Sequence, residues 1–204
     1  HMTHLRRLAT ALVLLLAWGL APAAPAIHGR VEILGDPRNP ITVLYLWGTP
    51  YERGLAHGQL CATQVKQLIE RLALGACLAM HCTPEKLDEA WQQMAPFVPR
   101  RYQDEMRGLA DGAGVSLRYV RWAHAIPDLS EFHCTFCAAW GKATRDGHLQ
   151  QIRALDYATE AGLQQFPALI VERTDSGEVF VNIGWLGFLG CVSGMNASHI
   201  AVSE

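Results

Sequence analysis

The residues best suited to chemistry lie near the middle of the chain, where two cysteines stand three positions apart. Cys134 and Cys137 belong to a strand-like run, HCTFCAAWG, at residues 133–141. Cysteines with this spacing serve as small buried residues or a disulfide, as a redox or zinc half-site, or as the site of a nucleophilic thiolate. The spacing alone leaves these three interpretations open.

The surrounding sequence argues against the metal and redox interpretations. Zinc needs a second ligand pair, and the spacing of His81, Cys82 and His124 matches no known pattern of zinc ligands. A redox pair normally opens a helix in a βαβ unit, whereas this run leads into a β-hairpin. We therefore expect no metal and no organic cofactor. The number of cysteines is even, six in all, but their sequence does not reveal how they pair.

Composition indicates what kind of domain must position these residues. The chain has 204 residues, of which 50% are hydrophobic and 18% charged, with a formal net charge of -2. This is enough apolar material for one globular domain and too much for a disordered segment. Because the net charge is small and negative, we do not expect a nucleic-acid partner.

Residues 1–26 have the pattern of a secretory signal peptide. A short positive lead ending in Arg6 and Arg7 precedes an apolar run from Leu8 to Leu20, and Ala-Pro-Ala at 24–26 resembles a cleavage site. The run is shorter than the roughly 20 residues of a membrane-spanning helix. We expect a secreted or periplasmic protein without a stable membrane span after signal cleavage. An uncleaved anchor is the alternative.

Residues 27–133 are expected to be mostly helical, after a short hairpin at 30–46. Thr49, Pro50 and Glu52 have the spacing of a capping box with proline at the first helical position, which predicts a helix from there through residue 76. Gly54 and Gly58 weaken that helix, so they predict a close backbone crossing. Further helices are predicted after Thr83, over 100–110 and after Ser116.

After Pro127 the pattern changes to short runs of β-forming residues. Turn signals separate them, and Asp146-Gly147 predicts a tight two-residue hairpin between the first two. The pattern of residues 134–204 therefore predicts an antiparallel sheet. Together with the helical first part, it predicts an α+β fold for the chain. The chain stops in a strand-like run, so we expect the sheet part to be truncated at its C-terminal end.

Four separated segments of the chain carry a family resemblance: GTPYERGLAHG at 48–58, CTFCAAWG with ATRDG at 134–147, RALDY at 153–157 and SGMN at 193–196. Taken in this order, they resemble the peptidase C45 family, the isopenicillin N acyltransferase-like group of N-terminal nucleophile (Ntn) hydrolases. The resemblance implies an αββα sandwich, incomplete here, that is made as an inactive precursor. It also implies self-cleavage between His133 and Cys134, which divides the chain into 27–133 and 134–204.

The resemblance also assigns roles to individual residues. It makes Cys134 the nucleophile, with Arg153 and Asp156 beside it and Asn196 stabilising the oxyanion. The substrate class implied is a small-molecule N-acyl amide or acyl donor, opened through a Cys134 thioester. Hydrolysis and acyl transfer both remain open, and the sequence does not indicate an oligomeric state.

Chemical reasoning supports these roles independently. A thiol with a reference pKa of about 8.5 needs a nearby base, and cleavage would create an α-amino group with a reference pKa of about 7.7–8.0 in the same residue. Asp156 could orient that amine, the charge of Arg153 favours thiolate, and an amide N–H from Asn196 is a donor worth about 3–4 kcal/mol to an oxyanion.

Each assignment has a structural alternative. Arg153 and Asp156 could form an ion pair, and on a regular strand they would point to opposite faces unless a bulge or strand end lay near Leu155. Asn196 could close a turn, and His57 and His124 are expected to be packed or surface residues. A non-catalytic or truncated exported domain is therefore the alternative function.

Overall fold

The computed structural model describes residues 26–79, 81–129, 133–157 and 159–204. The predicted signal segment lies outside them except for Ala26. The described chain is an α+β protein with five α-helices and a mixed sheet. Among these residues, no helix is both long and apolar enough to cross a membrane.

Two strands open the described chain and five helices follow. The strands are β1 (Gly29–Leu34) and β2 (Ile41–Gly48), which pair as an antiparallel hairpin. The helices are α1 (Pro50–Leu60), α2 (Ala62–Ala79), α3 (Pro84–Met94), α4 (Arg100–Ala113) and α5 (Leu117–Leu129). Short 3-10 turns occur at Ala95–Phe97, Gly141–Ala143, Thr159–Ala161 and Leu163–Gln165.

The remaining strands form two sheets. They are β3 (His133–Ala139), β4 (Gln150–Asp156), β5 (Pro167–Thr174), β6 (Val179–Trp185), β7 (Ser193–Asn196) and β8 (Ala201–Ser203). The larger sheet has the order β1-β2-β5-β6-β7-β8, and β3 and β4 form a separate antiparallel ribbon.

The prediction of an antiparallel sheet built only from the second half is wrong in two respects. The N-terminal strand β2 joins this sheet, and it runs parallel to β5, with Leu44 opposite Ile170. A parallel pair requires a long crossover, and the five helices between the two strands supply it. The predicted helical part therefore also contributes two strands of the sheet.

The first helix begins as the sequence predicts. Thr49 is the N-cap, its hydroxyl accepts from the backbone N–H of Glu52, and the Glu52 carboxylate accepts from the Thr49 N–H at 2.8 Å. The predicted single helix is, however, interrupted at Cys61, where the backbone turns out of the helical region with φ -126° and ψ 31°. Helices α1 and α2 are therefore separate elements.

The predicted close crossing is confirmed between α1 and α4. A Cβ at Gly54 would lie 2.0 Å from the carbonyl oxygen of Glu105, and one at Gly58 would lie 2.5 Å from that of Leu109. On the other helix, a Cβ at Gly108 would lie 2.1 Å from the Tyr51 oxygen. Glycine is required on both helices because the two backbones touch there.

The core lies between the helices and the large sheet. It combines the inner residues of β2 and β5 with apolar residues of all five helices, and its fully enclosed members include Leu44, Leu68, Ile69, Leu87, Leu109, Val120 and Ile170. Burial of side chains of this size contributes about 1.5–3 kcal/mol each. This core fixes the frame to which the ribbon is attached.

The tight hairpin predicted at Asp146-Gly147 is wrong, because residues 140–149 separate β3 from β4. The Asp146 carboxylate accepts from the N–H of His148, and the Thr144 hydroxyl donates to the His148 carbonyl. These side chains close a local turn within a longer loop. Their bonds to the backbone of His148 thus take the place of a two-residue turn between the strands.

Candidate functional site

The candidate nucleophile lies on the ribbon. Cys134 is the second residue of β3, opposite Leu155 of β4, and its side chain is half-buried. Arg153 Nη1 donates to the Cys134 Sγ at 3.9 Å. The structure therefore brings together two of the residues that the sequence selected, with a fixed positive charge against the sulfur.

Arg153 is itself held by the large sheet. Its Nε donates to the Ser193 Oγ at 2.6 Å, and two residues earlier on the same strand the Gln151 amide donates to the Ser203 hydroxyl. These contacts attach the ribbon to β7 and β8. Sequence reasoning did not select Ser193, although it lies in the SGMN segment, because only the tertiary structure shows which side chain reaches the guanidinium.

Asp156 occupies a different position from Arg153. Along β4, Gln151, Arg153 and Leu155 are half-buried, whereas Asp156 is exposed on the alternate face, and the register with β3 continues without a bulge. Arg153 and Asp156 form no ion pair. Asp156 is the last residue of the strand, and its backbone partner is His133. It therefore lies beside the bond at which cleavage is predicted, not beside the thiol.

Asn196 closes a turn. Its Oδ1 accepts from the backbone N–H groups of Ser198 and Ile200, at 3.1 and 2.9 Å, between β7 and β8. It also lines a cavity of about 610 Å³ together with Phe180, Met195 and Cys191. Neither Cys134 nor Arg153 lines that cavity.

The other interpretations of the cysteine pair can be compared with the geometry. Cys137 is exposed, and Cys134 and Cys137 are both free thiols, as are Cys61, Cys77, Cys82 and Cys191. Three positions along a regular strand place two side chains on opposite faces. Within the part of the chain that the structure describes, no group of three or more histidine, cysteine or acidic residues could hold a metal ion.

A cluster of three buried charged side chains lies between the large sheet and helices α1 and α4, and it was not predicted from the sequence. Arg53 of α1 donates from Nε to Glu172 at 2.8 Å, from Nη2 to Glu105 at 3.1 Å, and from Nη1 to the Gly48 carbonyl at 2.9 Å. The three side chains are 5–10% exposed. Burial raises the pKa of Glu105 to about 8, and the neighbouring Glu172 carboxylate adds to this. Burial also raises the pKa of Glu172.

The charges of this cluster favour one protonated carboxyl group, at Glu105. Two buried carboxylates share one guanidinium, so ionisation of both would leave a net negative charge, which is costly in the protein interior. The available sequence signal was an arginine inside a helix next to the crossing glycine Gly54. Its two partners lie 52 and 119 positions away, which no local pattern can indicate.

Comparisons with known proteins give relatives but no activity. No known family profile matches the chain. It is 32% identical over 196 residues to protein dcd1B and 27% identical over 208 residues to protein dcd1A, both of Dictyostelium discoideum, covering 84% and 87% of this chain. An uncharacterized protein of Archaeoglobus fulgidus is 26% identical over 236 residues, covering 97% of this chain. The chain spans 39–47% of the length of these relatives.

Proposed function

We propose that this chain carries the nucleophile of an exported, C45-like Ntn hydrolase or acyltransferase, which cuts itself between His133 and Cys134 and then acts on N-acyl amides. The observation that carries the proposal is the contact between the Arg153 guanidinium and the Cys134 sulfur. The guanidinium places a charged hydrogen-bond donor 3.9 Å from the half-buried sulfur that would act as the nucleophile. Protein dcd1B and the archaeal relative supply similarity but no reaction.

Self-cleavage would proceed by an acyl shift. The Cys134 sulfur attacks the carbonyl carbon of His133, the C–N bond breaks, and the proton from the thiol ends on the departing amine of Cys134. Water then adds to the thioester, releasing the His133 carboxylate and regenerating the thiol. Each step conserves atoms and electrons and needs no cofactor.

Asp156 would lie near the α-amine that self-cleavage creates. Because its backbone partner is His133, departure of His133 would leave the new α-amine of Cys134 at the same end of the ribbon as the Asp156 carboxylate. That amine would accept the thiol proton when substrate binds and deliver it to the leaving amine of the substrate. The acyl group would remain as a Cys134 thioester until water or a second amine removes it.

The architecture is compatible with the proposed fold. Helices cover one side of the large sheet, and the ribbon that carries Cys134 is attached to the sheet through β7 and β8. We propose that the ribbon belongs to the second sheet of an αββα sandwich. In this proposal residues 1–26 direct export and 27–133 form the part preceding the cut.

Intact mass and N-terminal sequencing of the purified protein test the proposal. We expect two fragments, the second beginning Cys-Thr-Phe, and no cut in Cys134→Ala. Cys137→Ala is the matched control because it removes a thiol from the same strand, and it should cut as the parent does. A folded parent chain that stays intact would refute the proposal and favour the non-catalytic alternative, which the turn-closing contacts of Asn196 support.

A further inference from the structure

Two histidines from two different helices hold the segment that joins β6 to β7. The N–H of Gly187 donates to His57 Nε2 at 2.9 Å, and the N–H of Leu189 donates to His124 Nε2 at 2.8 Å. Between them, the Phe188 ring stacks on the His124 imidazole with centroids 4.7 Å apart. We call residues 187–192 the latch segment.

Both contacts require a neutral imidazole. His124 Nδ1 lies 2.7 Å from the Val120 carbonyl, so Nδ1 carries the proton and Nε2 is left as an acceptor. His57 is 1% exposed and likewise accepts at Nε2. Burial lowers the pKa of both side chains to about 4, and the proximity of His124 contributes to the lowering at His57. At neutral pH both rings therefore remain acceptors.

The latch segment leads directly to the group that holds Arg153. The Gly190 carbonyl accepts from the Asn182 amide, and three residues later the Ser193 hydroxyl accepts from Arg153 Nε. Arg153 in turn donates to Cys134. The two histidine contacts are thus joined by the backbone of residues 187–193 to Ser193, and from there by two hydrogen bonds of Arg153 to the sulfur.

We infer that His57 and His124 are positioning residues for the Cys134 thiol: by anchoring the latch segment they fix Ser193, and through Ser193 they hold the Arg153 guanidinium against the sulfur. Neither imidazole touches the reacting atoms. The inference deepens the proposed function, but its test uses the reactivity of the thiol and does not require turnover.

The test compares alkylation of Cys134 by iodoacetamide at neutral pH, with Cys137 as an internal reference in every sample. His124→Leu removes the acceptor, whereas His124→Gln replaces it with a side-chain carbonyl that cannot ionise. We expect the Cys134 rate to change about threefold to thirtyfold in the Leu variant, the range typical of coupling through a packed network, and to stay near the parent rate in the Gln variant. Cys137 should react alike in all three.

A folded Leu variant whose Cys134 rate equals that of the parent would overturn the inference, since a role confined to stability would shift the unfolding midpoint only. If the Leu variant does not fold, Ser193→Ala provides the same test. It cuts the path beyond the latch segment without changing a helix, and it should alter the Cys134 rate to the same extent. An unchanged rate in Ser193→Ala would equally refute the inference.

Failure of this inference can be told from failure of the proposed function. A chain that never cuts itself but shows the expected alkylation pattern would refute the enzyme and retain the positioning role. A chain that cuts normally while alkylation of Cys134 is indifferent to His124→Leu and Ser193→Ala would do the reverse. A double variant that combines both substitutions should react no differently from Ser193→Ala alone, because the two act on one path.

Discussion

Substitution of Gly54 by alanine tests the helix crossing on which the fold depends. In an open helix the change to alanine is stabilising by about 1 kcal/mol. At Gly54, however, the new Cβ would stand 2.0 Å from the Glu105 carbonyl oxygen, and ordinary van der Waals contact begins at 3.4 Å. Helices α1 and α4 would have to separate by on the order of 1 Å, and overpacking of this kind costs about 1–3 kcal/mol or more.

Gly75 is the matched control, because it also lies within a helix and a Cβ there would meet no atom within 4 Å. Gly75→Ala should gain about 1 kcal/mol from helix propensity, whereas in Gly54→Ala the overpacking cost should cancel that gain and leave a net loss of up to about 2 kcal/mol. The free energies of unfolding of the two variants should thus differ by about 1–3 kcal/mol, which for a chain of this size corresponds to about 2–12 °C in Tm.

Urea denaturation followed by far-ultraviolet circular dichroism measures both variants against the parent. Gly108→Ala should behave like Gly54→Ala, since its Cβ would lie 2.1 Å from the Tyr51 carbonyl on the opposite helix. If Gly54→Ala gained stability as Gly75→Ala does, the two backbones could not be in contact, and the crossing would be refuted.

Three further predictions concern buried charge and the sulfur contact. The pKa of Glu105 is raised to about 8, so the folded protein keeps a proton that the unfolded chain releases, and stability falls as pH rises from 5 to 8. The midpoint of urea denaturation of the parent should show this fall. A fall of equal size in Glu105→Gln would contradict the assignment. The pKa of both His57 and His124 is lowered to about 4, so on acidification the unfolded chain takes up protons before the folded protein does, and stability falls as pH drops from 6.5 to 4. A urea midpoint of Glu105→Gln that is equal at pH 6.5 and pH 5 would refute this. Arg153→Met should slow self-cleavage about tenfold or more as followed by intact mass, whereas Arg145→Met, an exposed change in the β3–β4 loop, should leave the rate unchanged.

Features that depend on neighbouring residues in the chain could be predicted from the sequence. The Thr49 capping box and the helix start after Thr83 follow from local hydrogen bonds and backbone preference, and the structure has both. The proximity of Cys134 and Arg153 could also be predicted from the sequence, because both residues belong to the same two-stranded ribbon.

The pairing of segments that are distant in the chain could not be predicted in this way. The parallel pairing of β2 with β5 and the contact of Arg53 with Glu172 each join positions more than a hundred residues apart along the chain. Glu105, the third member of the buried cluster, lies 52 positions from Arg53. The contact of Ser193 with Arg153 likewise depends on how the ribbon meets β7. A local pattern fixes which face of an element is apolar. Which faces meet is set by the packing of the whole core, because many alternative pairings satisfy the same alternation.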